Sequence, residues 1–431
     1  FQFFLIERKI NSMSTLKFLG AAGTVTGSSF WLDEILIDLG LFQGGRDLEK
    51  LNHVVPQLDV SVLKGVILTH AHLDHCGRLP WLIRMGYKGP IYMTAATGDL
   101  MEIALLDMAK INREGDHEVQ ELLKLIHIVD YRQKFTIGDY TCELCDAGHI
   151  LGSASVLVEK DNRKIIFSGD LGNSPEDLLS PTQSFPEAEI VIMESTYGDR
   201  THADEDPLQV LTEEINAVEK DFSTLLIPAF AIERSQELLH HIDHLKKTNK
   251  IKADTLVFLD SPMAKKATEV YRKYKNLYSP ELAEHVKIDD PFNFPGLVVV
   301  ESAGESNNIM KFKGAKVIIA GSGMMTGGRV LNHARKVLID SKNRLLIVGY
   351  QAMGTMGRKI LDGEIKIEAS LRKSSGMSAH ADSPKLLAWL SGIKGVKKVF
   401  LIHGEDPVRK ILASKISAEV LLPNLNSIES I

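Results

Sequence analysis

The sequence predicts an α/β protein in two parts, with a parallel α/β domain inserted between the halves of another domain. Three observations predict it. Residues 15–40 and 133–170 carry short alternating runs that read as paired strands. From 201 to 365, helical stretches alternate with short, nearly continuous apolar runs, the rhythm of a parallel sheet covered on both faces. Beyond 365 the alternating texture returns in IKIEASLRK and KKVFLIHGED. The first domain is therefore expected over 13–200 and 366–431, around an insert at 201–365.

A chain of 431 residues exceeds one ordinary core, and 44% hydrophobic with 25% charged residues is an ordinary globular balance. No apolar run reaches the roughly 18 residues a membrane helix needs, which argues against a membrane role. The opening FQFFLIERKI is apolar too briefly for a secretory signal, and residues 1–12 are expected to be an irregular or non-native tail before Met13. A formal net charge of −6 argues against a generic basic nucleic-acid coat. A phosphodiester held at one site is still compatible with it, because bound metal and local Arg or Lys can reverse the potential there. Cys76, Cys142 and Cys145 cannot form a disulfide framework, so a reducing, cytoplasmic setting is expected. The C-x-x-C in TCELC lacks a second pair or a redox-fold context and reads as ordinary thiols.

Taken in order, LKFLG, SSFWLDE and ILIDLG are strands turning at Gly20, Gly23 and Gly27. The third ends on Asp38, which read alone is a turn former. A strand over 65–69 precedes a helix over 76–85, closed by Gly86. GPIYM is the next strand, followed by a helix over 96–112 and a second helical stretch near 117–127. KFTI, YTCEL, SASVLVE and KIIFSGD are strand-sized, and the apolar strand of EIVIME carries Glu194 at its tip. In the insert, STLLIPAF, TLVFLD, KVIIAGSG and RLLIVGY each lead into a helix or a glycine-rich turn.

The chemistry concentrates in GVILTHAHLDHCG, residues 65–77. A buried strand there delivers His70, His72, Asp74 and His75 within six residues, a density that a polar loop does not explain. Imidazole and carboxylate are ligands that zinc favours, and His-x-His at a strand end turns both rings to one side. Asp74 and His75 fall where the chain enters a helix and face a second position, so two metals are the natural count. His149 between glycines, Asp170 at a strand end and His403 at the tip of the last core strand add candidates. His380 stands before a helix in SSGMSAHADS. Ser261 and the turn holding Gly321, Ser322, Gly323, Gly327 and Gly328 sit at carboxyl ends of parallel strands, where backbone N–H groups suit phosphates. Read alone, the glycine run is also a tight turn.

With these residues in view, the chain resembles the metallo-β-lactamase superfamily, and within it the β-CASP nucleases. H-x-H-x-D-H identifies only the superfamily; the large insert, Glu194 before it, SAH with His380 after it and HGE with His403 near the end narrow the match. The resemblance, which runs from about residue 15 to 431, implies an αββα sandwich carrying an inserted β-CASP domain. It implies that His70, His72 and His149 bind one Zn²⁺, that Asp74, His75 and His403 bind another, and that Asp170 bridges them. Asp38 would orient ligands from behind, while Glu194 and His380 would flank the scissile phosphate as catalytic residues with Asp74. Ser375 or Ser378, with the glycines of 321–328, would hold flanking phosphates. The implied activity is zinc-dependent hydrolysis of RNA, internal or from a 5′ end, in processing or decay.

The complete ligand set speaks against the catalytically dead scaffolds of the family, and His403, where DNA-repair members carry Val, favours RNA. Single-stranded RNA is the expected partner, with no membrane and with a homodimer left open. Against the resemblance, neither the C-terminal dimerisation domain nor the N-terminal KH modules of some members is expected here. Three rivals stand beside this reading: a thioester-type metallo-hydrolase of the same superfamily, a non-catalytic RNA-processing scaffold, and a DNA nuclease.

Overall fold

A computed structural model describes residues 14–174, 177–374 and 376–431. The expected tail at 1–12 and the phosphate candidate Ser375 lie outside the described residues.

Two seven-stranded sheets face each other. In the first, Thr15–Gly20, Ser29–Leu32, Ile35–Ile37, Gly65–Ile67, Ile91–Met93 and Ile126–Ile128 follow in chain order, and Ile428–Ser430 closes the opposite edge against Thr15–Gly20. The second orders Glu419–Leu421, Lys398–Ile402, Ile190–Glu194, Arg163–Phe167, Ala154–Lys160, Tyr140–Asp146 and Lys134–Ile137. Strand alternation explains the sandwich. Ile35, Ile37, Val156, Val158, Ile165, Phe167 and Ile192 point into the inter-sheet core, while Leu36, Ile166, Val191 and Met193 point out under covering elements. Phe18 and Phe400 meet across that core at 5.3 Å between ring centroids, and each fully buried ring contributes about 1.5–3 kcal/mol.

The third sheet is all parallel, in the order Leu297–Val299, Leu256–Asp260, Lys316–Ala320, Thr224–Pro228, Arg344–Ile347 and Ser370–Lys373. Both its faces are buried: Leu226, Phe258, Ile318 and Leu345 enter one cluster, and Leu225, Val257, Val317 and Leu346 enter another. That is why its central strands read as unbroken apolar runs.

Three boundaries differ from expectation. Ser370–Lys373 pairs with Arg344–Ile347, so the insert's sheet runs beyond 365 to Lys373. It is an exposed edge strand, and its mixed composition resembled the first domain for that reason. The helix expected over 76–85 is two short helices, Leu73–Cys76 and Pro80–Arg84, with Pro80 opening the second. The helical stretch near 117–127 stops at Leu123, and Ile126–Ile128 instead pairs with Ile91–Met93. None of the described helices is long and apolar enough to cross a membrane.

Candidate metal centre

Parallel pairing sets the site's address. Ile37 pairs with Ile67, so Asp38 and the segment after Leu68 leave the first sheet at the same end. Phe167 pairs with Ile192, and Glu194 with Ile402, so Asp170, Glu194 and His403 leave the second sheet together. The sandwich thereby collects residues far apart in sequence along one rim.

His70, His72, His149 and Asp170 place potential ligand atoms within 4.8 Å of one another, and so do Asp74, His75 and His403. Asp170 lies between the two sets. Its Oδ2 is 3.5 Å from His70 Nε2 and 3.6 Å from His149 Nε2, while its Oδ1 is 3.3 Å from His75 Nε2 and 3.6 Å from His403 Nε2. His403 Nε2 also lies 3.4 Å from Asp74 Oδ2, and His72 Nδ1 lies 3.2 Å from His149 Nε2.

Four of the five rings, those of His75, His70, His149 and His403, are held from behind. His75 donates Nδ1–H to Asp38 Oδ2 at 2.7 Å, and Asp38 also accepts the Thr69 N–H and hydroxyl, both at 2.8 Å. Because that hydroxyl is spent as a donor, it accepts from His70 Nδ1 at 3.1 Å. His149 donates Nδ1–H to the Ala379 carbonyl at 3.0 Å. The Thr196 hydroxyl donates to the His403 carbonyl at 3.2 Å and accepts the ring's Nδ1–H at 2.9 Å. In the neutral form of these rings the bonds leave Nε2 as the acceptor on the Asp170 side, where His75 Nε2 also meets the Ser28 hydroxyl at 3.2 Å. Three buried atoms of the set, His70 Nε2, His72 Nε2 and Asp170 Oδ1, have no hydrogen-bond partner. Such orphaned acceptors are costly unless a cation satisfies them, so the donor set fits a metal.

Electrostatics divide the rings: burial opposes a charge on His75, but the Asp170 and Asp38 carboxylates hold its imidazole well above the usual range. Burial holds the His70 and His149 imidazoles well below their usual range and His72 at about 4, which keeps them neutral. Burial opposes ionisation of Asp170, but the imidazoles of His403, His75 and His70 hold it well below the carboxylate range. Burial likewise opposes Asp74, yet the His403 hydrogen bond brings it to about 2. Asp38 and His403 carry left-handed backbone, φ 57 and 49, a conformation that costs about 1–3 kcal/mol each and recurs at functional sites.

His380 lies on the open side. Its Nδ1 is 3.1 Å from Glu194 Oε1, and its Nε2 is 3.9 Å from Asp170 Oδ2. Glu194 is fully buried and is pinned by the N–H groups of Leu171 at 2.7 Å and Thr196 at 3.2 Å. Burial alone would lower the His380 pKa, but the Glu194 carboxylate raises it to about 9.

The phosphate candidates are mixed in placement. Ser261, Gly321, Ser322 and Gly323 sit just beyond neighbouring strand ends of the insert, where Asp260 pairs with Ala320. Ser261 Oγ caps the helix Pro262–Lys273 by accepting the Ala264 N–H, and Gly328 precedes the helix Arg329–Val337. Gly327 is open, with nothing within 4 Å of where a side chain would begin. Ser378 is engaged with the His380 backbone, its hydroxyl 3.3 Å from both N and O. Cys142 and Cys145 are buried free thiols.

Sequence reasoning missed Thr69, Thr196 and two glycines. A Cβ at Gly40 would lie 1.6 Å from the Asp74 carbonyl, and one at Gly172 would lie 1.7 Å from the Gly148 carbonyl and 3.0 Å from His149 N. Thr196 and Gly172 each stand two residues after a singled-out carboxylate, the only signal available. Gly172→Ala is expected to destabilise the protein by about 1–3 kcal/mol or more, read as a lower urea midpoint, because backbone must move.

A sandwich rim crowded with imidazoles and carboxylates, under a parallel insert, defines a metallo-hydrolase of the metallo-β-lactamase superfamily. Residues 34–227 match the beta-lactamase superfamily domain, 235–360 the Beta-Casp domain, and 364–423 the Zn-dependent metallo-hydrolase RNA specificity domain. A ribonuclease of Thermus thermophilus is 38% identical over 91% of this chain and 93% of its own length. In Methanocaldococcus jannaschii, an RNase J-like protein is 33% identical over 81% of this chain and 84% of its own. A transcription termination factor, FttA, from the same organism is 31% identical over 91% and 67%. A crystal structure of a protein of unknown function from Enterococcus faecalis V583 shares the fold, with TM-score 0.56 at 14% identity, over 97% of this chain and 100% of that one. The chain belongs to the β-CASP ribonucleases of the metallo-β-lactamase superfamily.

Proposed function

We propose that this protein hydrolyses phosphodiester bonds of single-stranded RNA with two Zn²⁺ ions, in RNA processing or decay. His70, His72 and His149 would hold one ion and Asp74, His75 and His403 the other, with Asp170 shared. When bound, such a pair supplies an activated water near neutral pH and offsets the charge that builds on the phosphate. The observation that carries the reading is Asp170, whose two oxygens face separate sets of imidazoles. The substrate class is supported by the match of residues 364–423 and by the relatives named as ribonucleases.

The chain's own groups do the remaining work. His380 holds a proton at Nε2 beside the rim and delivers it to the departing ribose oxygen, which leaves a 5′-phosphate on the downstream product. Glu194 accepts from Nδ1 and so aims the ring and favours its protonated form. Asp38 sets the His75 tautomer. Asp38→Asn is expected to weaken zinc affinity about 10–100-fold, measured by chelator competition, with the fold retained. Ser261, Gly321, Ser322, Gly323, Gly327, Gly328, Ser375 and Ser378 are proposed to hold flanking phosphates.

A time course with zinc-loaded protein on 5′-labelled and 3′-labelled RNA tests the proposal and separates internal from end-directed cleavage. Cleavage that stops on chelation and returns with zinc supports it. Intact RNA alongside turnover of a glutathione thioester would overturn it. A reducing, cytoplasmic setting suits the three unpaired thiols, and light scattering of the same preparation tests for a homodimer.

A further inference from the structure

We propose that Phe230 is a substrate-positioning residue whose ring stacks on the base of a nucleotide beside the scissile phosphate; this rests on the ribonuclease reading above. Phe230 follows the strand Thr224–Pro228 at the carboxyl end of the insert's sheet. Its backbone is fixed on both sides. The Ala229 N–H donates to the Ala320 carbonyl at 3.0 Å, and the Phe230 carbonyl accepts the Ser235 hydroxyl at 2.7 Å and N–H at 3.2 Å.

The ring itself is not core. Ala229 and Ile232 enter the large hydrophobic cluster, whereas Phe230 belongs to none of the clusters among the described residues and is only partly buried. Instead its centroid stands 6.5 Å from that of His72, across the cleft between insert and sandwich. Two bare glycines seat it. A Cβ at Gly323 would lie 2.8 Å from the ring's Cδ2, and one at Gly349 would lie 3.1 Å from its Cε2.

A large apolar ring held over a rim of imidazoles and carboxylates satisfies no polar group there, and it forgoes the burial its neighbours obtain. A nucleobase supplies the missing partner. Every base has an apolar face, so stacking of this kind positions a strand without reading its sequence. The phosphate attached to that nucleotide is then delivered to the Asp170 side of the cleft.

The test pairs Phe230 variants with RNAs bearing one abasic nucleotide next to the mapped cleavage position, on either side. Phe230→Ala should lower kcat/KM on intact RNA by roughly ten- to a hundredfold while zinc content stays at the parent value, and Phe230→Tyr or Phe230→Trp should restore it. For one of the two abasic positions, the parent should already be slow and Phe230→Ala should slow it little further. Equal slowing of intact and abasic RNA by Phe230→Ala would show a scaffold role and overturn the proposal, as would parent-like cleavage of intact RNA. Rescue by Phe230→Leu equal to that by Phe230→Tyr would also overturn it. If the zinc-loaded parent cuts no RNA at all, it is the ribonuclease reading that fails, and this inference falls with it.

Discussion

Asp170→Asn is expected to lose metal from both positions and to lower RNA turnover by about 10³-fold or more. The reason is geometric. Asp170 is nearly fully buried, and each of its oxygens faces imidazoles of a different set, so under the proposed function both sets would share this one carboxylate. Asparagine keeps the shape but removes the charge and one acceptor. Bound metals supply several kcal/mol of transition-state stabilisation, and each 1.36 kcal/mol is a factor of ten. Zinc measured per folded chain should fall from about two toward none. Asp74→Ala offers the contrast: Asp74 groups with His75 and His403, so turnover should vanish while the His70, His72 and His149 position retains its ion. Undiminished turnover by Asp74→Ala, or full zinc content in Asp170→Asn, would refute the shared-carboxylate assignment.

Replacing His380 is expected to act on chemistry alone. His380→Ala should keep zinc at the parent value and slow single-turnover cleavage by about 10²–10⁴-fold, the usual contribution of a positioned acid. The ring's Nδ1 is engaged by Glu194, and although its Nε2 could join Asp170 and His403 around an ion, each set keeps three other protein ligands without it, which is why metal content should survive its loss. Glu194→Gln should fall between parent and His380→Ala, because the ring stays but loses the carboxylate that raises its pKa. An RNA carrying a better leaving group at the cleaved bond should recover most of the loss in His380→Ala and little in Asp170→Asn. A metal site emptied by His380→Ala would mean that its role had been confused with that of His403.

Much of the molecule was legible in one dimension wherever the determinant is local. The cluster from His70 to His75 sits in one strand exit, so its spacing alone marks these side chains as candidate metal ligands. The insert's continuous apolar strands follow from burial on both faces, and they betray a parallel sheet before any coordinate is known. Local pattern fails where a segment's neighbours decide. Ser370–Lys373 alternates like the first domain yet pairs with the insert, since an exposed edge strand carries no mark of which sheet it joins. Ile126–Ile128 was absorbed into a helix for the same reason.

The sequence by itself determined the fold class and marked the residues expected to ligate metal. Only the tertiary structure decided that Asp170 lies between two imidazole sets, that Thr69 and Thr196 orient the rings, and that Gly40 and Gly172 admit backbone where no side chain fits. The physical reason is range. Strand periodicity and ligand chemistry are properties of neighbours along the chain, whereas a carboxylate between two imidazole sets, a ring held from behind and a close backbone approach exist only once parallel pairing has brought distant strand ends to one rim.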